Sequence, residues 1–250
     1  MKISDIKKEM LSLEVSDYEN FLEKYSKDDR KGVQNILNTL SNKYNAYKKL
    51  LNRYNDLVRF DLENSNEGLV IGVDEAGRGP LFGPVVAAAV IINPNDKLIE
   101  VYDSKTIKED KREFLFEEII NLSKDYGVGI VSAKEIDEIG ILNATKKAME
   151  IAVNSLEINV DTVLVDYVDI NFKGKKVMPI VKGDAKSFSI AAASIIAKVT
   201  RDRIIRKMSK TLPDYDLLNN KGYGTKKHYE MIDKHGLSSE HRRSFLKDRL

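Results

Sequence analysis

The sequence predicts an α/β domain with a partly parallel central sheet, preceded by a helical hairpin. Three observations carry this. From Leu69 onward, short apolar runs alternate with stretches of helical periodicity, the pattern of strands joined by crossover helices. Two of those runs, 69–74 and 162–166, end on an acid. Ahead of them, residues 1–66 are polar, free of proline and helical in spacing.

In the N-terminal segment, Ser16-Asp17-Tyr18-Glu19 has the form of a capping box that opens a short helix. Val33, Leu37, Leu40, Tyr44, Tyr47, Leu51, Tyr54 and Val58 then recur at spacings of four and three, which keeps one apolar seam along a long helix. Tyr18, Phe21, Leu22 and Tyr25 supply an internal partner for that seam, so the simplest arrangement is a short helix antiparallel on the long one. A docking face for a partner's helix is the other use such a seam has. With 12 basic and 11 acidic residues the segment is nearly neutral and is no obvious phosphate-binding arm. Asn64-Ser65-Asn66 with Gly68 reads as a linker, which sets the expected domains at 1–66 and 67–250.

Beyond the linker, residues 69–74 read as a buried strand and 84–92 as a second, closed by Asn93-Pro94-Asn95. Thr106-Ile107-Lys108-Glu109 reads as the cap of a helix reaching Ser123, and 126–132 as a third strand. Leu142, Thr145, Met149, Ala152, Val153 and Leu156 mark one face of a further helix. Residues 162–166 form a fourth strand, and 177–181 are another short apolar stretch. Residues 185–208 read as a long helix with a small-residue face, and helical pattern resumes from Thr225 to the end.

Composition narrows the functional classes. A chain of 250 residues suffices for one sizeable α/β domain plus a small module. There is no cysteine, which excludes disulfides and thiolate metal sites. The N-terminus lacks an apolar leader and the longest apolar stretches are far too short to span a bilayer, so a soluble, cytoplasmic protein with no membrane partner is expected. The net charge of +2 hides an asymmetry: residues 182–250 carry 16 basic against 8 acidic residues, and 1–181 carry 25 against 31. A basic C-terminal third suits a polyphosphate partner, although basic helices also serve as plain solvated surface.

Asp74 and Asp166 stand at the C-terminal ends of their strands, the edge where open α/β sheets bind ligands. Asp184 follows the apolar stretch 177–181. Glu75 adjoins Asp74, and neighbours on a regular strand face opposite ways, so Glu75 joins Asp74 only if the strand ends there. A lone acid at a strand end is usually a cap or a solvated loop residue. Four converging carboxylates instead repel one another, and hard divalent cations such as Mg²⁺ and Mn²⁺, which prefer oxygen, relieve that repulsion. Gly77-Arg78-Gly79 follows the acidic pair; glycines admit close backbone approach and arginine offers a fork to phosphate.

The run Gly72-Val73-Asp74-Glu75-Ala76-Gly77-Arg78-Gly79-Pro80, continuing through Gly83-Pro84-Val85-Val86-Ala87-Ala88-Ala89-Val90, resembles the signature of the ribonuclease HII family. Asp103-Ser104-Lys105, Leu142-Asn143-Ala144-Thr145, Leu164-Val165-Asp166, Gly183-Asp184-Ala185-Lys186-Ser187, the helix from Ile190 to Asp202, Gly222-Tyr223-Gly224-Thr225-Lys226 and His241-Arg242-Arg243-Ser244-Phe245 follow in the family's order. Together they cover roughly residues 68–246. The resemblance implies a ribonuclease H-like mixed five-stranded sheet flanked by helices. It implies an endonuclease that hydrolyses the RNA strand of RNA–DNA hybrids and cuts 5′ of ribonucleotides embedded in duplex DNA, leaving 5′-phosphate and 3′-hydroxyl ends. By the same resemblance Asp74, Glu75, Asp166 and Asp184 are the catalytic, metal-binding carboxylates, holding two Mg²⁺ or Mn²⁺ ions. Gly77, Arg78 and Gly79 match the segment that reads the 2′-OH, the group that separates RNA from DNA. Tyr223 matches a tyrosine that packs on the adjoining sugar, and Ser104, Lys105, Lys182 and Lys186 are candidate phosphate contacts. His228, His235 and His241 lack metal-like spacing and are read as structural or surface residues. A monomer is expected.

Two positions depart from the family pattern. Tyr167 follows Asp166 where the family usually has glycine, and a ring there either alters substrate approach or points into the core. Phe82 stands where a small residue is common. A ribonuclease HIII-like nuclease and a catalytically silent hybrid-binding protein are the competing readings; Arg78 between its glycines and the intact acidic set speak against each in turn.

Overall fold

The computed structural model describes residues 1–65, 68–95, 98–102 and 104–247; Asn66 of the expected linker and Asp103 of the Asp103-Ser104-Lys105 block lie outside them. The chain forms two compact units, Met1–Asn55 and Asp56–Leu250. The division falls inside a helix, eleven residues before the expected boundary at residue 66.

In the first unit, α1 (Ile3–Leu11), α2 (Tyr18–Tyr25) and the start of α3 (Lys31–Asn64) share one core. Ile6, Tyr18, Phe21, Val33, Ile36, Leu37 and Leu40 are buried together. The first half of the expected seam, Val33, Leu37, Leu40 and Tyr44, is therefore used internally, with Tyr18 edge-on to Tyr44 at 6.0 Å between centroids. Two details differ from expectation. Helix α1 precedes the expected hairpin and adds Ile6 and Met10 to its core. Ser16 does not cap α2: it lies in a 3-10 turn, Val15–Asp17, and the N-cap Asp17 makes no side-chain cap hydrogen bond.

The second unit is a five-stranded mixed sheet in the order β3-β2-β1-β4-β5, built from β1 (Ile71–Ala76), β2 (Val85–Ile92), β3 (Ser123–Val131), β4 (Thr162–Asp166) and β5 (Lys176–Ile180). β1, β2 and β3 pair antiparallel, while β4 lies parallel to both β1 and β5. Every residue of β2, VVAAAVII, is buried, as expected of a strand covered on both faces. One face packs against α5 (Ala133–Ile139) and α6 (Ile141–Asn154) through Ile136, Ala144, Ala148, Met149 and Ala152. The other receives α7 (Phe188–Thr211), a helix whose alanines and serines let it lie close. A Cβ on Gly72 of β1 would stand 2.1 Å from the Ser189 carbonyl carbon, so only glycine admits this approach.

The strands fall within two or three residues of expectation, and the helices show clearer differences. Helix α4 (Glu109–Leu122) has Lys108, not Thr106, at its N-cap. Residues 183–185 form a 3-10 turn, and α7 starts three residues later than expected, with Ser187 as N-cap accepting from the Ile190 amide at 3.1 Å. After the short α8 (Leu217–Asn220) and α9 (Lys226–His235), helix gives way at Gly236, φ 78°, so the helical pattern expected to the chain end stops there. Among the described residues, no helix is long and apolar enough to cross a membrane.

Candidate active site

Parallel pairing brings the first two acids together. β1 and β4 run in register with Val73 opposite Val165, so the next residues, Asp74 and Asp166, emerge side by side at the C-terminal sheet edge. Past Val73, β1 keeps its β2 partner as far as Ala76 but loses β4. The strand thus does not stop at Asp74 as expected. It is held on one side only, and both Asp74 and Glu75 line the same cleft.

The electrostatics are those of crowded buried anions. Burial, with Glu75 and Asp166 nearby, pushes the Asp74 carboxyl well above its usual range. Burial also raises Glu75, opposed mainly by Arg78 and Lys105. Asp74 accepts from the Glu75 amide at 2.7 Å and is hydrogen-bonded by Ser194; Ser194 in turn pairs with the buried Ser104 hydroxyl at 2.9 Å. Arg78 Nη1 reaches Glu75 Oε1 at 3.4 Å, while Glu75 Oε2 is buried with no hydrogen-bond partner. Asp166 Oδ1 accepts from the Gly183 amide at 2.6 Å, which ties the β4 end to the turn carrying the buried Asp184.

The cleft is lined by Asp74, Glu75, Gly77, Arg78, Gly79, Ser104, Lys105 and Tyr223 from the expected set. Asp166, Asp184, Lys182 and Lys186 do not line it, and both lysines are exposed. Its volume of about 230 Å³ is below the roughly 300–1,000 Å³ of pockets that engulf a whole small ligand. Ser194, Lys198 and Arg201 also line it. Sequence reasoning gave them no role, although their spacing of four and three places them on one face of α7.

Two buried arginines anchor the chain from Gly77 to Pro84. Arg242 donates to the carbonyls of Gly77, Arg78, Pro80 and Gly83 at 2.7–3.1 Å. Arg201 donates to those of Phe82, Pro84 and Lys221 at 3.0–3.1 Å. The carbonyls of Gly77 and Arg78 are thus taken by Arg242, while Gly77, Arg78 and Gly79 all line the cleft. Gly77 has φ +96°, and a Cβ there would meet Arg201 Nε at 2.2 Å, so the position requires glycine twice over. Tyr223, half exposed, brings a ring carbon into van der Waals range of where a Gly79 Cβ would stand, 3.7 Å away. Phe82 is buried against Tyr215, His228 and His241, away from the cleft. Tyr167 does not enter the core: it is 67% exposed.

Among the described residues no three His, Asp or Glu side chains close into a metal cage by themselves. The all-oxygen donor set, the mutual repulsion around Asp74 and the orphaned Glu75 Oε2 nonetheless fit a hard divalent cation.

A mixed sheet with acids at the end of its central parallel pair, beside a glycine-rich loop, is the architecture of the ribonuclease H-like class. Comparison with known proteins agrees. The ribonuclease HII profile matches residues 71–248 and that of the ribonuclease HII N-terminal domain matches residues 2–64. The ribonuclease HII of Clostridioides difficile (strain 630) is 46% identical over 248 residues, 98% of this chain and 97% of that protein. That of Listeria monocytogenes serotype 4a is 41% identical across 95% of this chain and 92% of its own. Among solved structures, the ribonuclease H2 from Pyrococcus horikoshii OT3 superposes with a TM-score of 0.59 at 35% identity, covering 70% of this chain and 93% of that one. The Bst-RNase HIII complex with Mn²⁺, at 18% identity and TM-score 0.52, shares the fold. The chain belongs to the ribonuclease HII family.

Proposed function

We propose that the protein is a metal-dependent endonuclease that cuts the RNA strand of RNA–DNA hybrids and, in duplex DNA, the bond 5′ of an embedded ribonucleotide, leaving 5′-phosphate and 3′-hydroxyl ends. The observation that carries this reading is one cleft uniting an acidic pair, Asp74 and Glu75, with a carbonyl-anchored Gly77-Arg78-Gly79 loop and the Tyr223 ring. Asp74, Glu75, Asp166 and Asp184 are the residues that would hold Mg²⁺ or Mn²⁺, with the substrate phosphate completing the oxygen set. A pair of such ions supplies Lewis acidity and charge neutralisation to in-line displacement at phosphorus.

The chain's own residues do the selecting. The amides and Arg78 of the loop take the 2′-OH and its flanking phosphate, since the 2′-OH alone marks a sugar as RNA. Tyr223, opposite Gly79, packs on the neighbouring deoxyribose and favours a junction. Ser104 and Lys105 contact phosphate inside the cleft, and Lys182 and Lys186 do so outside it, along the path of the strand.

The test is a DNA duplex with one ribonucleotide, incubated with Mg²⁺ or Mn²⁺ beside an all-DNA control. A single cut 5′ of the ribonucleotide with the control intact is expected. Cutting of long hybrids alone would transfer the chain to a ribonuclease HIII-like specificity, and binding without cutting in either metal would make it a silent hybrid binder.

A further inference from the structure

One face of α7 forms part of the cleft wall. Ser194, Lys198 and Arg201 line it at spacings of four and three, and residues so spaced are neighbours on a helix surface. The two outer ones are already engaged. Ser194 is hydrogen-bonded to Asp74, at the acidic end. Arg201 holds the carbonyls of Phe82 and Pro84, and its Nε stands 2.2 Å from where a Cβ on Gly77 would be. Lys198 therefore lies between the acids and the glycine loop. A ribonucleotide whose 5′ phosphate meets the acids and whose 2′-OH meets the loop has to pass over it.

Lys198 carries charge that its protein partners do not use up. Its ammonium donates to Asp202 Oδ1 at 2.7 Å, one turn along the helix. Asp202 is buried and shared, since Arg112 Nη2 approaches its other oxygen at 3.6 Å. Two cations thus face one carboxylate. Arg112 is tied in place independently, donating to the carbonyls of Ser104 and Ile107 at 2.7 and 2.8 Å, so Asp202 keeps a cationic partner without Lys198. Burial, with the Arg112 and Arg201 guanidiniums, holds the Lys198 ammonium below its ordinary pKa in spite of the Asp202 bond. An ammonium has three donors, and the bond to Asp202 uses one. The Lys198 side chain is 22% exposed against 3% for Asp202 and 9% for Arg112, so of the three it is the one open to the cleft. A tethered cation with positive charge to spare, in a cleft that also holds Arg78 and Lys105, matches an anion. On a nucleic-acid substrate that anion is a backbone phosphate.

We propose that Lys198 is a substrate-binding residue, its ammonium held by Asp202 and donating to a non-bridging oxygen of one of the two phosphates that border the recognised ribonucleotide. The contact rests on the function proposed above and deepens it. It is made to the backbone of a paired strand, so the duplex stays intact, and it fixes position without reading sequence.

The test counts charges. Binding of the full chain to a DNA duplex with one ribonucleotide is read by fluorescence anisotropy in Ca²⁺ over a range of salt concentrations. Each phosphate contact contributes about 0.9 to the slope of log Kd against log salt. Lys198→Gln and Lys198→Met each lower the slope by about that much and raise Kd roughly 10- to 100-fold. Lys198→Arg, which keeps the charge, keeps the slope. Replacing one phosphate at a time by a neutral methylphosphonate locates the contact: at one position bordering the ribonucleotide, wild type and Lys198→Gln bind alike. An unchanged slope in Lys198→Gln and Lys198→Met would overturn the contact and leave Lys198 a structural ion pair, even if both variants melted lower. An equal loss of slope in Lys198→Arg would overturn it too, as would a scan in which the difference persists at every position or vanishes only at a phosphate remote from the ribonucleotide. Wild-type protein that neither binds nor cuts this duplex would instead overturn the function reading, a result visible without any variant.

Discussion

The Arg242 guanidinium donates to the Gly77 carbonyl at 2.7 Å from 165 residues away in the chain. It reaches three further carbonyls of the same loop and is fully buried, with the Asp137 carboxylate near enough to favour its charge. Burial and the nearby Arg201 bring its pKa down to about 9, so it stays charged at neutral pH. Only a planar fork with several donors serves four carbonyls at once. Arg242→Lys should therefore lose about 2–4 kcal/mol of stability, since each charge-assisted bond counts for more than a neutral one. It should also lose discrimination between hybrid and all-DNA duplex, because the amides of Gly77–Gly79 are no longer held. Urea denaturation together with paired Kd values checks both; unchanged discrimination would show that the loop orders itself.

Asp74 offers a prediction on metal. Its carboxyl is raised because burial, Glu75 and Asp166 all oppose its charge. A group whose folded pKa exceeds its unfolded value binds more protons when folded, so it contributes most below the unfolded value of 3.8 and costs stability as pH rises through the folded one. In EDTA the wild type should lose stability over that rise, and Asp74→Asn should melt higher with a flatter profile. Adding Mg²⁺ or Mn²⁺ should raise the wild-type melting temperature, by the equivalent of about 2.7 kcal/mol at a hundredfold excess over Kd, and leave Asp74→Asn nearly unmoved. Cleavage by Asp74→Asn should be lost while hybrid binding remains. Calorimetry across pH and metal concentration reads all of these.

His228 and His241 form a relay that fixes their tautomers. His228 Nδ1 lies 2.9 Å from the Tyr223 carbonyl and must donate to it, so its Nε2 is the acceptor for His241 Nε2 at 3.2 Å. His241 Nδ1 then accepts from the Ser238 amide at 3.0 Å. Both rings are neutral in this chain of bonds. Burial and the neighbouring His228 accordingly lower His241 from 6.5 to about 4. The unfolded chain takes up the proton first, so stability should fall as pH drops from 6.5 towards 4, and His241→Asn should weaken that slope. Because the relay ends on Tyr223, preference for a junction over a long hybrid should fade in the same pH window; cleavage ratios of the two substrates at pH 5 and pH 7 decide this.

Much of the sheet and the acidic edge could be read from sequence because their signals are local. An apolar run ending on Asp marks β1 and β4, and the Gly77-Arg78-Gly79 loop follows its acids directly. What stayed illegible depends on contacts remote in sequence. Arg201 and Arg242 read as basic surface in a basic third of the chain, yet they are buried scaffolding, since carbonyls that accept them leave no trace in side-chain pattern. The left-handed turn at Tyr167 could not be read because residue type argues against it. Ser194 and Lys198 were hidden by the small-residue face of α7, which reads as packing alone.

Asp61 carries the last consequence. It sits on the final turns of α3, yet it lies within the second unit and is buried there. Its Oδ1 accepts from the Ser187 hydroxyl at 2.5 Å, and its Oδ2 from the Ser189 amide and hydroxyl, both at 2.7 Å. A remote carboxylate thus completes the N-terminus of α7, three residues after Asp184, where orphan amides otherwise lack partners. Asp61→Ala strands those donors in a buried place and should cost about 1–3 kcal/mol, with Asp61→Asn costing less because one oxygen still accepts. The same logic separates two truncations. A chain beginning at Asp56 keeps the cap and should retain the melting behaviour of the catalytic unit. One beginning at Leu69 loses it and should be destabilised at least as much as Asp61→Ala. Equal stability of the two truncated chains would show that the cap does no more than replace water at a helix end.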